Sequence, residues 1–388
     1  MQLTPGPEKA SREQSKQHNH RLVFKTIYDQ GEISRVDIAR QTRLTPTTVS
    51  SNVAELLEEG LVRETGQAPS VGGKPATLLQ VVDDARHMIG VDLAGNQLRG
   101  ALINLRGTIR HKINLPLKGL TGDAALQLVY QLIDQLVAEA TSPLLGIGIG
   151  TPGVIDSAQG IVQQAVNVEW QHLPLRQLLA DRYGLPVYIA NDSHVTAVAE
   201  RTFGPYKNAN NLIVLKVGRG IGAGIVLNGR LFYGDGWGAG EIGHVVVAQD
   251  GQPCPCGNVG CLETVASSAA ILARARERGI QAESIEQLVA LQAEAGPALA
   301  EIIAEAGRYL AIAVAHLVGA LNVRYIILAG AVANFGPALL EPLKAQLVGR
   351  ALAAMVRETE IEQTTLGAEI VTLGAAALLL GHELGLNA

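Results

Sequence analysis

The chain has 388 residues, 47% hydrophobic and 17% charged, with 43 glycines and a formal net charge of −5. That length allows two or three domains with adequate cores, and the composition excludes a disordered or fibrous chain. The acidic total argues against nucleic-acid binding over the whole surface, and three cysteines within eight residues argue against a disulfide framework.

Charge is unevenly spread. Residues 1–53 carry eight Lys and Arg against five Asp and Glu, a basic arm consistent with DNA binding at one end. The polar first twenty residues show no secretory pattern, which points to a cytoplasmic protein. A first helix is expected over 20–31, with Leu22, Val23 and Ile27 inward and Gly31 at its end. Ser34 followed by Asp37 reads as a capping box, opening a helix with Val36, Ile38 and Ala39 available for burial. Thr45 caps the next helix, whose first position is Pro46, where a missing N–H costs nothing. Val49, Val53, Leu56 and Leu57 form one apolar face, and Gly60 stops the helix. Its other face offers Thr47, Thr48, Ser50, Ser51 and Asn52, short hydrogen-bonding side chains suited to phosphates and base edges. Arg43 and Lys74 are expected near phosphate or the minor groove. Strand-like segments on either side of "QAPSVGGKPA" make a wing. Residues 1–82 therefore read as a winged helix-turn-helix, with a protein-docking module as the competing reading.

From about residue 83, strands alternate with helices. They include a helix from Asp123 to about Ala140, the run "LLGIGIGTPGVID", and a strand entering a helix in "LPVYIANDSHVTAVAE". Such alternation predicts mainly parallel sheets in two α/β units with a cleft between them. The units are expected over 83–199, joined by a C-terminal helix over 375–388, and over 200–374. The apolar stretch 309–336 contains His316, Asn322 and Arg324 and reads as a buried helix and strand, with no membrane insertion.

The strongest local signal is "GEIGHVVVAQDGQPCPCGNVGCLE". His244, Cys254, Cys256 and Cys261 supply three thiolates and an imidazole, the donor set of a closed structural Zn2+ site. Free buried thiols and a redox pair are the alternatives; the absence of C-x-x-C weighs against the latter.

The run from His244 to Glu263 resembles the signature of the ROK family of sugar kinases and sugar-responsive repressors. Residues 144–156 and 190–200 resemble its other segments, the likeness covers about 83–380, and 33–66 resembles the winged helix-turn-helix of its repressor branch. The resemblance implies an α/β fold: a two-domain actin/hexokinase-like (ribonuclease H-like) body behind an N-terminal winged helix-turn-helix. It implies a sugar pocket formed by Asn167, Asn191, Asp192, Glu241, His244 and Glu263, with Asp192 at the general-base position of the kinases. Paired carboxylates and amides suit vicinal diols, and zinc would brace the loop that carries them. A helix N-cap is the competing role for Asp192.

A kinase needs glycine backbone and hydroxyls against ATP phosphates. Compared with the kinases it resembles, the first loop has Ala94 and Asn96 in place of glycine and threonine, while Asp92, which the resemblance makes the magnesium-side acid, remains. In the second, Arg219 replaces a threonine, although an arginine can itself bind phosphate; in the third, Ala329 and Ala331 replace glycines. Methyl groups there would crowd a nucleotide. The expected function is therefore a non-enzymatic sensor: a homodimeric or homotetrameric repressor on an inverted-repeat, double-stranded operator. Its effector would be a monosaccharide of the xylose, glucose or N-acetylated hexosamine class. An ATP-dependent sugar kinase with a DNA-binding head, or an adaptor held by a protein partner, are the alternatives.

Overall fold

The computed structural model describes residues 12–68, 75–93 and 95–386; Lys74 and Ala94 lie outside them. The chain opens with α1 (Arg12–Gln30), β1 (Ile33–Ser34), α2 (Arg35–Thr42), α3 (Pro46–Glu58), β2 (Val62–Gln67) and β3 (Thr77–Val81). The three strands form one antiparallel sheet in the order β1-β3-β2, so the wing is present. The capping box is also there: the Asp37 N–H donates to Ser34 Oγ at 3.2 Å, and the Ser34 hydroxyl donates to the Asp37 carboxylate at 2.7 Å. Thr45 accepts from the Thr48 N–H at 3.2 Å, with Pro46 at the start of α3. Gly60, at φ +69°, ends α3 by letting the Leu61 N–H reach back to the Leu56 carbonyl.

Some expectations for this head need correction. The first helix begins eight residues earlier than expected, and Phe24 and Tyr28 join Val23 and Ile27 inside while Leu22 stays half-exposed. Val36 is 69% exposed, because the turn into α2 directs only Ile38 into the core. Asn52 is buried rather than presented outward, with its amide donating to the Thr48 carbonyl at 2.7 Å.

The body begins with a meander of β4 (His87–Asp92), β5 (Gln97–Asn104) and β6 (Ile109–Pro116), then α4 (Gly122–Ala138) and β7 (Leu144–Thr151). A small antiparallel sheet of β8 (Val154–Asp156), β9 (Ile161–Ala165) and β10 (Trp170–Leu173) precedes α5 (Leu175–Tyr183), β11 (Val187–Asn191) and α6 (Asp192–Thr202). The second half has β12 (Leu212–Val217), β13 (Ile221–Leu227) and β14 (Arg230–Leu231), then α7 (Glu263–Ala266), α8 (Ser268–Glu277), α9 (Ile285–Ala290) and α10 (Gly296–Leu321). It ends with β15 (Tyr325–Ala329), α11 (Pro337–Leu347), α12 (Ala353–Glu358), β16 (Glu360–Gln363) and α13 (Ile370–Leu384).

The two large sheets have one topology used twice. β6-β5-β4-β7-β11 and β14-β13-β12-β15-β16 each join an antiparallel meander to two parallel strands. The expectation of mainly parallel sheets is thus half right, because tight hairpins build the first three strands of each sheet without crossover helices.

Between the sheets lie α6 and α13, and period-two patterning explains how they fit. In β7, Ile147 and Ile149 face the outer core under α4 and α5, while Gly146, Gly148 and Gly150 face the central helices. In β13, Ile221, Ala223 and Ile225 face the outer core with α10, and Gly222 and Gly224 face α6. A Cβ on Gly148 would overlap the Ala375 carbonyl, and one on Gly224 the Ser193 carbonyl. The glycine runs therefore set how closely helices lie on strands. Two helices, Gly296–Leu321 and Gly367–Leu384, are long and apolar enough to cross a membrane, and most of each is packed inside the fold.

The head shares a continuous core with this central layer. The Tyr28 hydroxyl donates to the Leu105 carbonyl at 2.8 Å, and Arg106 donates to the Tyr28 carbonyl at 2.8 Å with its guanidinium 3.9 Å from the centre of the Tyr28 ring. Lys25 donates to the Leu386 carbonyl at 3.0 Å and Arg21 to the His382 carbonyl at 2.8 Å, tying α1 to the end of α13.

Candidate functional site

Most of the residues expected to bind sugar gather around the start of α6. Asn191, the last residue of β11, is the cap: its Oδ1 accepts from the Ser193 and His194 N–H groups at 2.8 and 3.3 Å, and its Nδ2 donates to the Gly153 carbonyl at 2.9 Å. The N-cap role considered for Asp192 therefore belongs to its neighbour, which leaves one amide hydrogen of Asn191 for other use. Asp192 occupies the first helical position, 5% exposed, and accepts from the Lys216 ammonium at 2.8 Å. Asp92, at the end of β4, is 3% exposed. Burial alone would lower the Lys216 pKa, but the fields of Asp192 and Asp92 and the hydrogen bond to Asp192 raise it above its ordinary value.

On the facing side stand Glu241, His244 and Glu263. Glu241 keeps solvent contact, yet protein surrounds it enough that burial pushes its carboxyl up. His244 pulls that value back, while Asp192 and Glu263 push it further, so these four groups share one electrostatic neighbourhood. Glu263 accepts from the Ile221 N–H at 3.0 Å, linking the metal loop to the start of β13. Asn167 lies half-buried in a single 3-10 turn after β9. Sequence reasoning missed Lys216 and His194, which lies just beyond the cap. The His194 Nε2 is 2.8 Å from the Ala239 carbonyl and its ring meets Tyr233 edge-on, fastening the 233–240 loop over the helix start.

His244, Cys254, Cys256 and Cys261 converge, with one donor atom from each lying within 4.8 Å of all the others. A turn closed by the Gly257 N–H on the Cys254 carbonyl and short bridges Val246–Cys261 and Pro253–Val259 bring them together. The His244 Nδ1 to Cys254 Sγ and Cys256 Sγ to Cys261 Sγ separations are both 3.6 Å. A zinc tetrahedron has edges of about 3.6 Å for nitrogen–sulfur and about 3.8 Å for sulfur–sulfur pairs, so the cluster suits such an ion. The backbone at Asn258 holds the Cys256 thiol down at about 7, whereas burial pushes Cys261 up to about 12.

The three loops that would meet a nucleotide are dissimilar. Asn96 is exposed in the first, where the Leu117 N–H uses its carbonyl. The second is a tight turn, Gly218 N–H to Gly220 carbonyl, with Arg219 exposed at its tip. In the third, Ala331 is half-buried after Gly330, but Ala329 needs correction: its methyl is buried in the central core and does not face a ligand.

On the head, Thr45, Thr47, Ser50 and Ser51 are exposed, Thr48 is half-exposed, and Arg43 is exposed in a left-handed conformation between α2 and α3. Arg12, Lys16 and Asn19 of α1 line an open groove of about 720 Å³ with Thr47, Thr48 and Ser51. The sequence reading missed these α1 residues because it started the helix too late. Their spacing of three and four residues on one helix face was the available signal.

The pattern of the ROK family matches residues 88–382, and that of winged helix-turn-helix DNA-binding domains matches residues 17–63. A xylose repressor of Caldicellulosiruptor bescii is 35% identical over 386 residues, covering 95% of this chain and 97% of that protein. A glucokinase of Halalkalibacterium halodurans is 33% identical over 318 residues, covering 77% of this chain and 96% of its own. A crystal structure of a ROK family transcriptional regulator, a homologue of the E. coli MLC protein, superposes with a TM-score of 0.84 at 29% identity, covering 96% of this chain and 98% of that one. With its paired sheets, cysteine loop and winged head, the chain belongs to the ROK family and has that family's actin/hexokinase-like body behind a DNA-binding-type winged helix-turn-helix.

Proposed function

We propose that this protein is a cytoplasmic, sugar-responsive transcriptional repressor rather than a kinase. The observation that carries the reading is the pairing of a winged head with a cleft whose acids and metal-binding loop are intact while its phosphate loops are altered. The xylose repressor, similar over nearly the whole chain, supports it. Residues 1–82 bind DNA. Residues 83–199 with the C-terminal helix form one wall of the cleft, and residues 200–374 form the other.

Thr45, Thr47, Thr48, Ser50 and Ser51 face the major groove, Arg43 meets phosphate, and Lys74 serves the wing. Two copies, as a dimer or within a tetramer, place their heads on the half-sites of an inverted repeat. A monosaccharide of the xylose, glucose or N-acetylated hexosamine class binds through Asn167, Asn191, Asp192, Glu241, His244 and Glu263. Zinc held by His244, Cys254, Cys256 and Cys261 has no open position for a substrate, so when bound it cross-links the loop and orients Glu241 and Glu263. Sugar binding displaces the heads and releases the operator. A tenfold change in DNA affinity needs only about 1.4 kcal/mol of coupling.

The test is an operator titration with the zinc-loaded protein across a monosaccharide panel, with ADP formation from ATP measured in parallel. One sugar is expected to weaken operator binding at least tenfold without turnover. Sugar-dependent ATP consumption abolished by Asp192→Asn would instead establish the kinase reading.

A further inference from the structure

We propose that Lys216 is a built-in counter-cation for the Asp192–Asp92 pair, standing in for a divalent metal ion, so that the cleft is set to receive its ligand without magnesium. This deepens the sugar-sensor reading and rests on it for the nature of the ligand.

The alternation along β12 makes Lys216 conspicuous. Ile213, Leu215 and Val217 enter the outer core with α10, whereas Leu212 and Val214 enter the central core. Lys216 continues the second series, where period two calls for another apolar side chain. Its ammonium instead reaches Asp192 Oδ2 at 2.8 Å, with the two side chains 13% and 8% exposed. Asp92 approaches from the first sheet, itself 3% exposed, and its field also acts on Lys216. Two carboxylates removed from water need a cation nearby. In a phosphoryl-transfer enzyme that role falls to a magnesium ion, which keeps mainly oxygen ligands and arrives with its substrate. Here the cation is covalently fixed to β12.

The consequence for ligand binding is orientation. With Oδ2 held by Lys216 and Oδ1 accepting from the Ser193 hydroxyl at 3.3 Å, the Asp192 carboxylate has one fixed plane. It then presents its remaining lone pairs to sugar hydroxyls. Lys216 is thus a positioning residue that acts through Asp192. Seated 2.8 Å from Asp192 Oδ2, the ammonium also occupies the carboxylate position a metal would need, and so keeps the ion out.

The experiment uses the full-length, zinc-loaded protein in magnesium-free buffer. Mn2+ binding is followed by electron paramagnetic resonance in wild type, Lys216→Met, Lys216→Arg and the double variant Lys216→Met/Asp92→Asn. Lys216→Met is expected to gain one Mn2+ site per chain over wild type. Lys216→Arg should gain none, and the double variant should lose the new site. In parallel, sugar affinity of wild type should be indifferent to Mg2+, whereas Lys216→Met should bind sugar at least tenfold more weakly until Mg2+ is added. No extra Mn2+ site in Lys216→Met, or Mg2+-dependent sugar binding by wild type, overturns the proposal. If no sugar binds wild type, the sensor reading fails while the Mn2+ measurement still decides the role of Lys216. Should Lys216→Met not fold, Lys216→Gln carries the same test.

Discussion

Glu200, on the last turn of α6, is fully buried where the chain crosses between the two halves of the body. Its Oε1 accepts from the Thr364 hydroxyl at 2.5 Å on the return crossover, while its Oε2 has no hydrogen-bond partner among the described residues. Burial raises its pKa, and the Thr364 hydroxyl offsets only part of that rise. A carboxyl whose folded pKa is raised keeps a proton that the unfolded chain has already lost. Its contribution is therefore most favourable at low pH and is lost as pH rises through the folded value. Glu200→Gln keeps the acceptor for Thr364 and removes the titration. Its stability relative to wild type, read from urea unfolding, is expected to increase as pH rises from the ordinary carboxylate range through the raised folded pKa, and to level off above it. A pH-independent difference would show that Glu200 does not titrate in that window. The same scale holds the residue-level surprises: Val36 turned outward, Asn52 turned inward and Ala329 packed in the core all follow from orientation, which residue type does not encode.

At the scale of elements, the central pair α6 and α13 is the structural hub, and glycine is what admits it. Gly374 of α13 meets α6 so closely that a Cβ there would overlap the Val195 carbonyl. Neither backbone can retreat, because Gly148 and Gly224 already place the two helices in contact with their own sheets. Gly374→Ala is therefore expected to destabilise the protein by about 1–3 kcal/mol, the usual cost of overpacking, despite the better helix propensity of alanine. A lower denaturation midpoint at unchanged slope is the signature, and a midpoint equal to wild type would mean the helices can separate freely. The same packing seats the helix whose first turn carries Asp192.

For the whole molecule, the proposed sensor role requires that a ligand at the start of α6 be felt by the head. α13 runs beside α6, and its far end holds α1 through the Arg21 and Lys25 contacts. Tyr28 supplies a second attachment, to the turn after β5. Tyr28→Phe leaves the ring under Arg106 but removes the hydroxyl that satisfies the Leu105 carbonyl, a loss of about 1–3 kcal/mol at a buried site. The variant is expected to bind operator near wild-type affinity while the sugar-induced change in that affinity shrinks several-fold. Titrations with and without sugar measure this, and an unaltered sugar effect would place the coupling elsewhere.

Much of this protein is legible in its sequence. The capping box at Ser34, the Thr45 cap with Pro46, the wing strands and the donor set of His244 and three cysteines are local patterns, fixed by neighbours a few residues apart. Backbone hydrogen bonding and ligand chemistry dictate them wherever they occur. Tertiary structure decided the rest. It turned the glycine runs at 146–150 and 222–224 into helix seats and brought a strand lysine from one half of the body onto an acid of the other. Those outcomes depend on contacts between segments far apart in the chain. The free energy of such a contact is set by what faces a residue across the core, and no window of sequence contains both partners.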